Sequence, residues 1–198
     1  MRLAALLGAA TLLVLACASP KSKDGELPNP PQRLQQRGCS FLPPAEDRWF
    51  VVQRTPEALV IARVGRLDND THAIEATLLP MQAFASSLER NRFAKALRQQ
   101  AVPAPRYRIR SHELFDQAVG QTNCTVSYLL VEDRHPDTGT STVGSILVES
   151  MSLICPHPYN RSVGTMLTYT HRSYPEDQDR AFKARASAVL STFQFAEL

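Results

Sequence analysis

The distribution of apolar and polar positions divides the chain into three parts. Met1-Arg2 is a short basic start, and a mostly apolar run follows over 3–16. At 1.5 Å per residue that run reaches about 21 Å, short of the ~30 Å hydrocarbon core of a bilayer, so it reads as a signal-peptide core and not a spanning helix. No later stretch is long and apolar enough to span. Residues 18–37 lack apolar periodicity and carry Pro20, Pro28, Pro30 and Pro31. They predict a tether, partly polyproline-like, with a reach of up to roughly 60 Å.

From residue 39 onward the pattern changes. Residues 48–54 and 59–64 are β-rich runs separated by Thr55-Pro56-Glu57-Ala58, which predicts a hairpin, and 71–79 predicts a third strand. Residues 82–100 have neither Gly nor Pro and favour a helix, although Phe84 and Leu88 point away from Phe93 and Leu97. Residues 105–120 carry no decisive pattern, and 123–131, 143–154 and 163–172 read as three further strands. Phe182, Ala186, Val189, Leu190 and Phe193 form one helical stripe, with Glu176, Asp177 and Asp179 expected in its first turn. The expected fold is α+β: an antiparallel β-sheet with an internal helix and a C-terminal amphipathic helix packed on it. The expected organisation is a signal peptide over 1–16, a lipid-bearing tether over 17–38 and a single domain over 39–198.

Val14-Leu15-Ala16-Cys17 resembles the lipobox of bacterial lipoproteins. The resemblance implies cleavage after Ala16, a diacylglyceryl thioether on Cys17 and acylation of the new amino terminus, so the membrane itself is a partner. Ala18 and Ser19 stand where Asp commonly retains a lipoprotein in the inner membrane. The same resemblance therefore implies the outer membrane, facing the periplasm. The alternative is ordinary cleavage after Ala18, since Ala16-Cys17-Ala18 also fits an A-x-A pattern.

An exported chain can oxidise its remaining cysteines. If 123–131 and 143–155 form a hairpin, the register opposing Val126 to Leu153 and Tyr128 to Met151 also opposes Cys124 to Cys155. It places a coherent apolar set on one face, and a one-residue slip would lose it. A Cys124–Cys155 disulfide is the expectation, with Cys39 unpaired and buried near the domain entrance. The rival is a bond from Cys39 to one of these two.

Composition narrows the chemistry. The 198 residues are 43% hydrophobic and 21% charged, enough for one globular domain, with a net charge of +3 that does not imply nucleic-acid binding. Arginine outnumbers lysine by 18 to 4. Arg106, Arg108 and Arg110 alternate with Tyr107 and Ile109, which in a strand puts three guanidiniums on one face. They are candidates for binding an anion such as a lipid headgroup, lipopolysaccharide or an acidic glycan, with Arg90, Arg92, Lys95 and Arg98 adding charge on the preceding helix. The alternative is a solvated face with local carboxylate partners. Cys155-Pro156-His157-Pro158 with His171 could suggest a metal centre or a Cys–His pair, but a full ligand set at recognised spacing and an oxyanion hole are missing. No catalytic residue, metal or cofactor is expected, and His157 is expected at the surface of a proline-stiffened strand exit. No Gly-rich phosphate loop, G-x-S-x-G elbow or H-E-x-x-H appears.

Glu132-Asp133-Arg134, Cys155-Pro156-His157-Pro158, Tyr169-Thr170-His171-Arg172 and 190–195 resemble segments of a family of proteobacterial lipoproteins. The order of elements is similar to the PsbP/Mog1-like α+β fold: a hairpin with an early Trp, a helix, an antiparallel meander and a closing helix. The resemblance implies a binding or assembly module without a shared catalytic site. The expected function is that of a lipid-anchored envelope protein that binds an envelope protein or a small ligand. The alternatives are an envelope enzyme, a hydrolase or thiol-redox protein using Cys39, Cys155 or His157, and a structural tether.

Overall fold

The computed structural model describes residues 25–45, 48–65, 70–135 and 144–198. The leader over 1–16, Cys17 and the first part of the tether lie outside the described residues. Seven strands form one antiparallel sheet: β3 (Phe50–Arg54), β4 (Ala58–Val64), β5 (Thr71–Pro80), β6 (Tyr107–Val119), β7 (Thr122–Asp133), β8 (Ile146–His157) and β9 (Asn160–Ser173). Their order in space is β3-β4-β5-β9-β8-β7-β6. The meander β6 to β9 thus folds back so that its last strand pairs with β5 along ten residues, from Thr71 opposite Arg172 to Pro80 opposite Val163. The turns follow from local chemistry. Thr55 Oγ1 accepts from the Glu57 and Ala58 amides to close β3–β4. Gly120 takes φ +59° between β6 and β7, a conformation that costs other residues their Cβ clearance.

Strand alternation splits the sheet into two unlike faces. On one, Leu59, Ile61, Ile74, Leu153, Leu167 and Tyr169 join Trp49, Phe41 and Phe193 in the main core. The helix α2 (Phe182–Leu190) covers this face with Phe182, Ala186, Val189 and Leu190 buried. A small second sheet of β1 (Leu34–Gln36), β2 (Cys39–Phe41) and β10 (Gln194–Phe195) closes it. The Cys124–Cys155 disulfide lies in the same core, with Cα atoms 4.4 Å apart. The β7–β8 register opposes Val126 to Leu153 and Tyr128 to Met151, as the sequence pattern predicts. Cys39 is a free, buried thiol.

Three sequence expectations are corrected here. The domain takes in residues assigned to the tether: β1 pairs with β2, Leu27 N donates to Trp49 O (2.8 Å), and Gln36 Nε2 donates to Pro56 O (2.8 Å). Glu176 and Asp177 belong to a separate 3₁₀ turn, Pro175–Asp177, and α2 begins after Asp179, whose Oδ1 accepts from the Ala181 amide. His157 is not a surface residue. It is 2% exposed, with its ring against Phe195 and its Nε2 3.0 Å from Ala196 O, so β10 seals it in.

The opposite face carries α1 (Ser87–Gln100), which packs over β7 and β6. It starts five residues later than the composition of 82–100 suggests because Ser86 caps it, accepting from the Glu89 amide while Glu89 Oε2 accepts from Ala85 N. The residues it buries are Arg90, Ala94 and Arg98, one residue per turn. Arg90 reaches Asp116 Oδ1 (2.7 Å) and Thr125 Oγ1 (3.1 Å), and Arg98 Nη2 reaches Ser150 Oγ (2.7 Å). Among the described residues no helix is long and apolar enough to cross a membrane.

The disulfide closes a loop of sequence separation 31 between neighbouring strands. Replacing both Cys124 and Cys155 by Ala is expected to lower unfolding stability by about 2–4 kcal/mol, read from urea denaturation. An unchanged midpoint would show that the bond adds nothing to the strand pairing.

Candidate functional site

Because α1 lies toward the β6–β7 side, its end leaves part of the sheet uncovered. Val60, Ala73, Leu129, Val131 and Val148 line the resulting cleft from four strands, with Val102 from the α1–β6 connection and Tyr107 from the start of β6. Thr71, Thr168, Thr170 and Ser150 add hydroxyls, and Glu75, Arg98, Arg106, Asp133 and Arg172 add charge. The enclosed part measures about 100 Å³. A dry protein cavity of ~150 Å³ accepts benzene. The enclosed part therefore admits one small apolar group, with the rest of a ligand lying in the mouth.

The charges are not equivalent. Arg106 is committed: its Nε and Nη2 donate to the two oxygens of Asp133 (3.1 and 2.9 Å), and its guanidinium rests over the Tyr107 ring. Arg98 is 8% exposed and spends Nη2 on Ser150, but its buried Nε has no hydrogen-bond partner. A buried unpaired donor costs on the order of 1–3 kcal/mol, more when charged. Burial pulls the Arg98 guanidinium down to about 10, opposed by Glu75, so it stays cationic at neutral pH. Glu75 is pushed up by burial, while its bond from Thr77 Oγ1 (3.1 Å) and the Arg98 charge hold it back. Three guanidiniums and two carboxyl groups line the cleft, so it carries an excess positive charge.

The structure disperses the arginine triplet predicted from sequence. Arg106 lines the cleft, Arg108 is exposed, and Arg110 pairs with Glu132 at 2.5 Å. The cause is a bulge between Ile109 and Ser111, where Arg110 is the extra residue and strand alternation is broken. Arg98 was expected only as added charge on the helix before the triplet, and Arg172 was not expected at the site. Arg98 belongs to a helix stripe whose polar residues defeat an apolar-periodicity test. Its sequence signal was the run of helix cations Arg90, Arg92, Lys95 and Arg98, which does not tell the buried ones from the solvated ones.

Cys155, His157 and His171 do not converge. Cys155 is in the disulfide, His157 bonds to Ala196 O, and His171 sits opposite Glu149, far along β8 from Cys155. Burial pushes the Cys39 thiol up from 9.0 to about 12, so no thiolate forms there at neutral pH. Among the described residues, the group able to hold a metal is Asp70, His72 and His171, on the face away from the cleft.

No family model matches the sequence, and no curated protein matches it. The chain is similar in structure to the Ran-binding protein Mog1p of Saccharomyces cerevisiae at 11% identity, over 84% of this chain and 96% of that one, with a TM-score of 0.49. It is also similar to the cyanobacterial PsbP (CyanoP) of Synechocystis sp. PCC 6803 at 13% identity, over 92% and 99%, with a TM-score of 0.49. The α+β class rests on the strands and helices described above.

A raised thiol pKa in the fold means stability that is intact below pH 9 and lost as pH rises toward 12. In the native protein Cys39 should stay silent to a thiol reagent such as DTNB at pH 8 and react on unfolding. Peptide mapping that finds a rapid Cys39 adduct would contradict the burial.

Proposed function

We propose that this chain is a lipid-anchored protein of the bacterial envelope whose domain binds a small ligand with an apolar body and an anionic head in the cleft beside α1. The observation that carries the binding reading is the Arg98 Nε, a buried cationic donor without a hydrogen-bond partner in a cleft whose walls include Val60, Leu129, Val131 and Val148. An anionic oxygen on the ligand would take that donor, and the Val and Leu walls would hold the apolar part. Arg106 is already neutralised by Asp133 and would shape the rim more than it would bind. The anchoring reading is supported by the apolar run over 3–16 and Val14-Leu15-Ala16-Cys17, and by their resemblance to proteobacterial lipoproteins. Ala18 and Ser19 favour the outer membrane, with the domain in the periplasm. The seven residues between Cys17 and the first described residue, Gly25, would space the domain from the lipid. Two acyl chains suffice for stable attachment.

The cleft is tested by calorimetric titration of the full-length protein with hexanoate and with hexan-1-ol. Hexanoate should bind and the alcohol should not compete. A hydrogen bond from a charged group contributes about 1.5–3 kcal/mol, so Arg98→Gln should weaken hexanoate roughly 10- to 150-fold. Arg108→Gln, outside the cleft, should leave it unchanged. Equal losses in both variants would point to general charge attraction and sink the cleft reading. For the anchor, Cys17→Ala should move the protein from the detergent phase to the aqueous phase in Triton X-114 partitioning. Retention in detergent would rule out lipid on Cys17.

A further inference from the structure

The face turned away from the cleft carries a second polar cluster. His72 on β5 and His171 on β9 are directly opposed in register, so their side chains share one face. Their rings stack at 4.3 Å with an 11° tilt. Asp70 precedes His72 by two positions, and its Oδ1 lies 2.9 Å from His171 Nε2 and 3.5 Å from His72 Nε2. All three candidate ligand atoms fall within 4.8 Å of one another. We propose that Asp70, His72 and His171 form a binding site for a divalent first-row transition metal, zinc being the best fit, with water in the remaining position.

Zinc bonds of 2.0–2.2 Å in tetrahedral geometry place ligand atoms about 3.3 Å apart. The two observed nitrogen–oxygen distances bracket that value; because the rings stack nearly parallel, one imidazole must swing out of the stack to turn its Nε2 lone pair onto the ion. Two imidazoles and one carboxylate favour zinc and its neighbours over magnesium or calcium, which take oxygen sets. The outer contacts also suit ligation. Tyr169 OH lies 3.0 Å from His72 Nδ1, which engages that nitrogen and leaves Nε2 to face the ion. Both rings are 3–4% exposed, whereas the Asp70 side chain is 24% exposed, giving an entry from solvent at the carboxylate. Asp179 adds negative charge near His72, and Arg63, whose guanidinium sits over Trp49, opposes it. The cluster joins residues a hundred positions apart, so no local spacing announced it.

The test uses full-length protein in detergent, stripped with EDTA and titrated with zinc against a chromogenic chelator. Cobalt(II) is used in parallel for its visible absorption. Wild type should take up one equivalent, raise its thermal midpoint on saturation, and show the cobalt bands of a low-coordinate nitrogen–oxygen site. His171→Gln and Asp70→Asn should each remove that equivalent. Tyr169→Phe should keep the site but weaken it about 10- to 100-fold. Thermal midpoints of the metal-free variants show that each is folded. Should His171→Gln fail to fold, the partly exposed Asp70→Asn decides the question. Absence of saturable binding in wild type, or an unchanged equivalent in the variants, would overturn the proposal; the latter would place the ion elsewhere on the chain.

Discussion

The docking of α1 on the sheet governs the shape of this domain. A helix that presents Leu or Ile at one residue per turn would slide over a sheet until it covered as much apolar area as possible. This one buries Arg90, Ala94 and Arg98 most deeply, with Phe93 and Leu97 only partly buried beside them. Arg90 is pinned to Asp116 on β6 and Thr125 on β7, and Arg98 to Ser150 on β8. Directional bonds from buried charges fix both the angle and the longitudinal position of the helix, because any shift would strand a guanidinium away from water. The cleft is the consequence: α1 is held where it leaves the β5, β9 and β8 surface near Arg172 uncovered.

The two faces of the sheet divide the work. The α2 face is sealed by aromatic packing of Trp49, Tyr169, Tyr128 and Phe182, by the disulfide and by the β1–β2–β10 sheet. That seal supplies the stability a partly open opposite face does not. It also buries the groups that sequence reading singles out as chemically interesting. Cys39, Cys155 and His157 are reactive residue types in places where reactivity is removed, by desolvation, by a bond or by a carbonyl partner. Among the described residues, the polar groups not silenced in this way include the buried Arg98 Nε beside α1 and the His72–His171 pair with Asp70.

Much of the fold was legible in the sequence because its signals are short-range or governed by parity. The β3–β4 turn at Thr55, the apolar alternation that sets the β7–β8 register and the α2 stripe all belong to these kinds. The register was strong enough to oppose Cys124 to Cys155. The β6 strand was hidden because its bulge at Arg110 breaks the period of two and its outer edge is polar. The same bulge defeated the reading of Arg106, Arg108 and Arg110 as one cationic face. The start of α1 could have been read from Ser86 and Glu89. The cleft could not, since Arg98, Arg172 and Glu75 come together only once β9 returns to pair with β5.

The proposed function turns on Arg98 Nε acting as a ligand donor held in waiting. The ¹H–¹⁵N resonance of that single Nε–H group, assigned by comparison with Arg98→Gln, reports on it directly. Addition of hexanoate should move the Arg98 Nε proton downfield and slow its exchange with water, as a charge-assisted hydrogen bond forms, while hexan-1-ol leaves it in place. A carboxylate that saturates the protein with the Arg98 Nε–H unmoved would contradict the account.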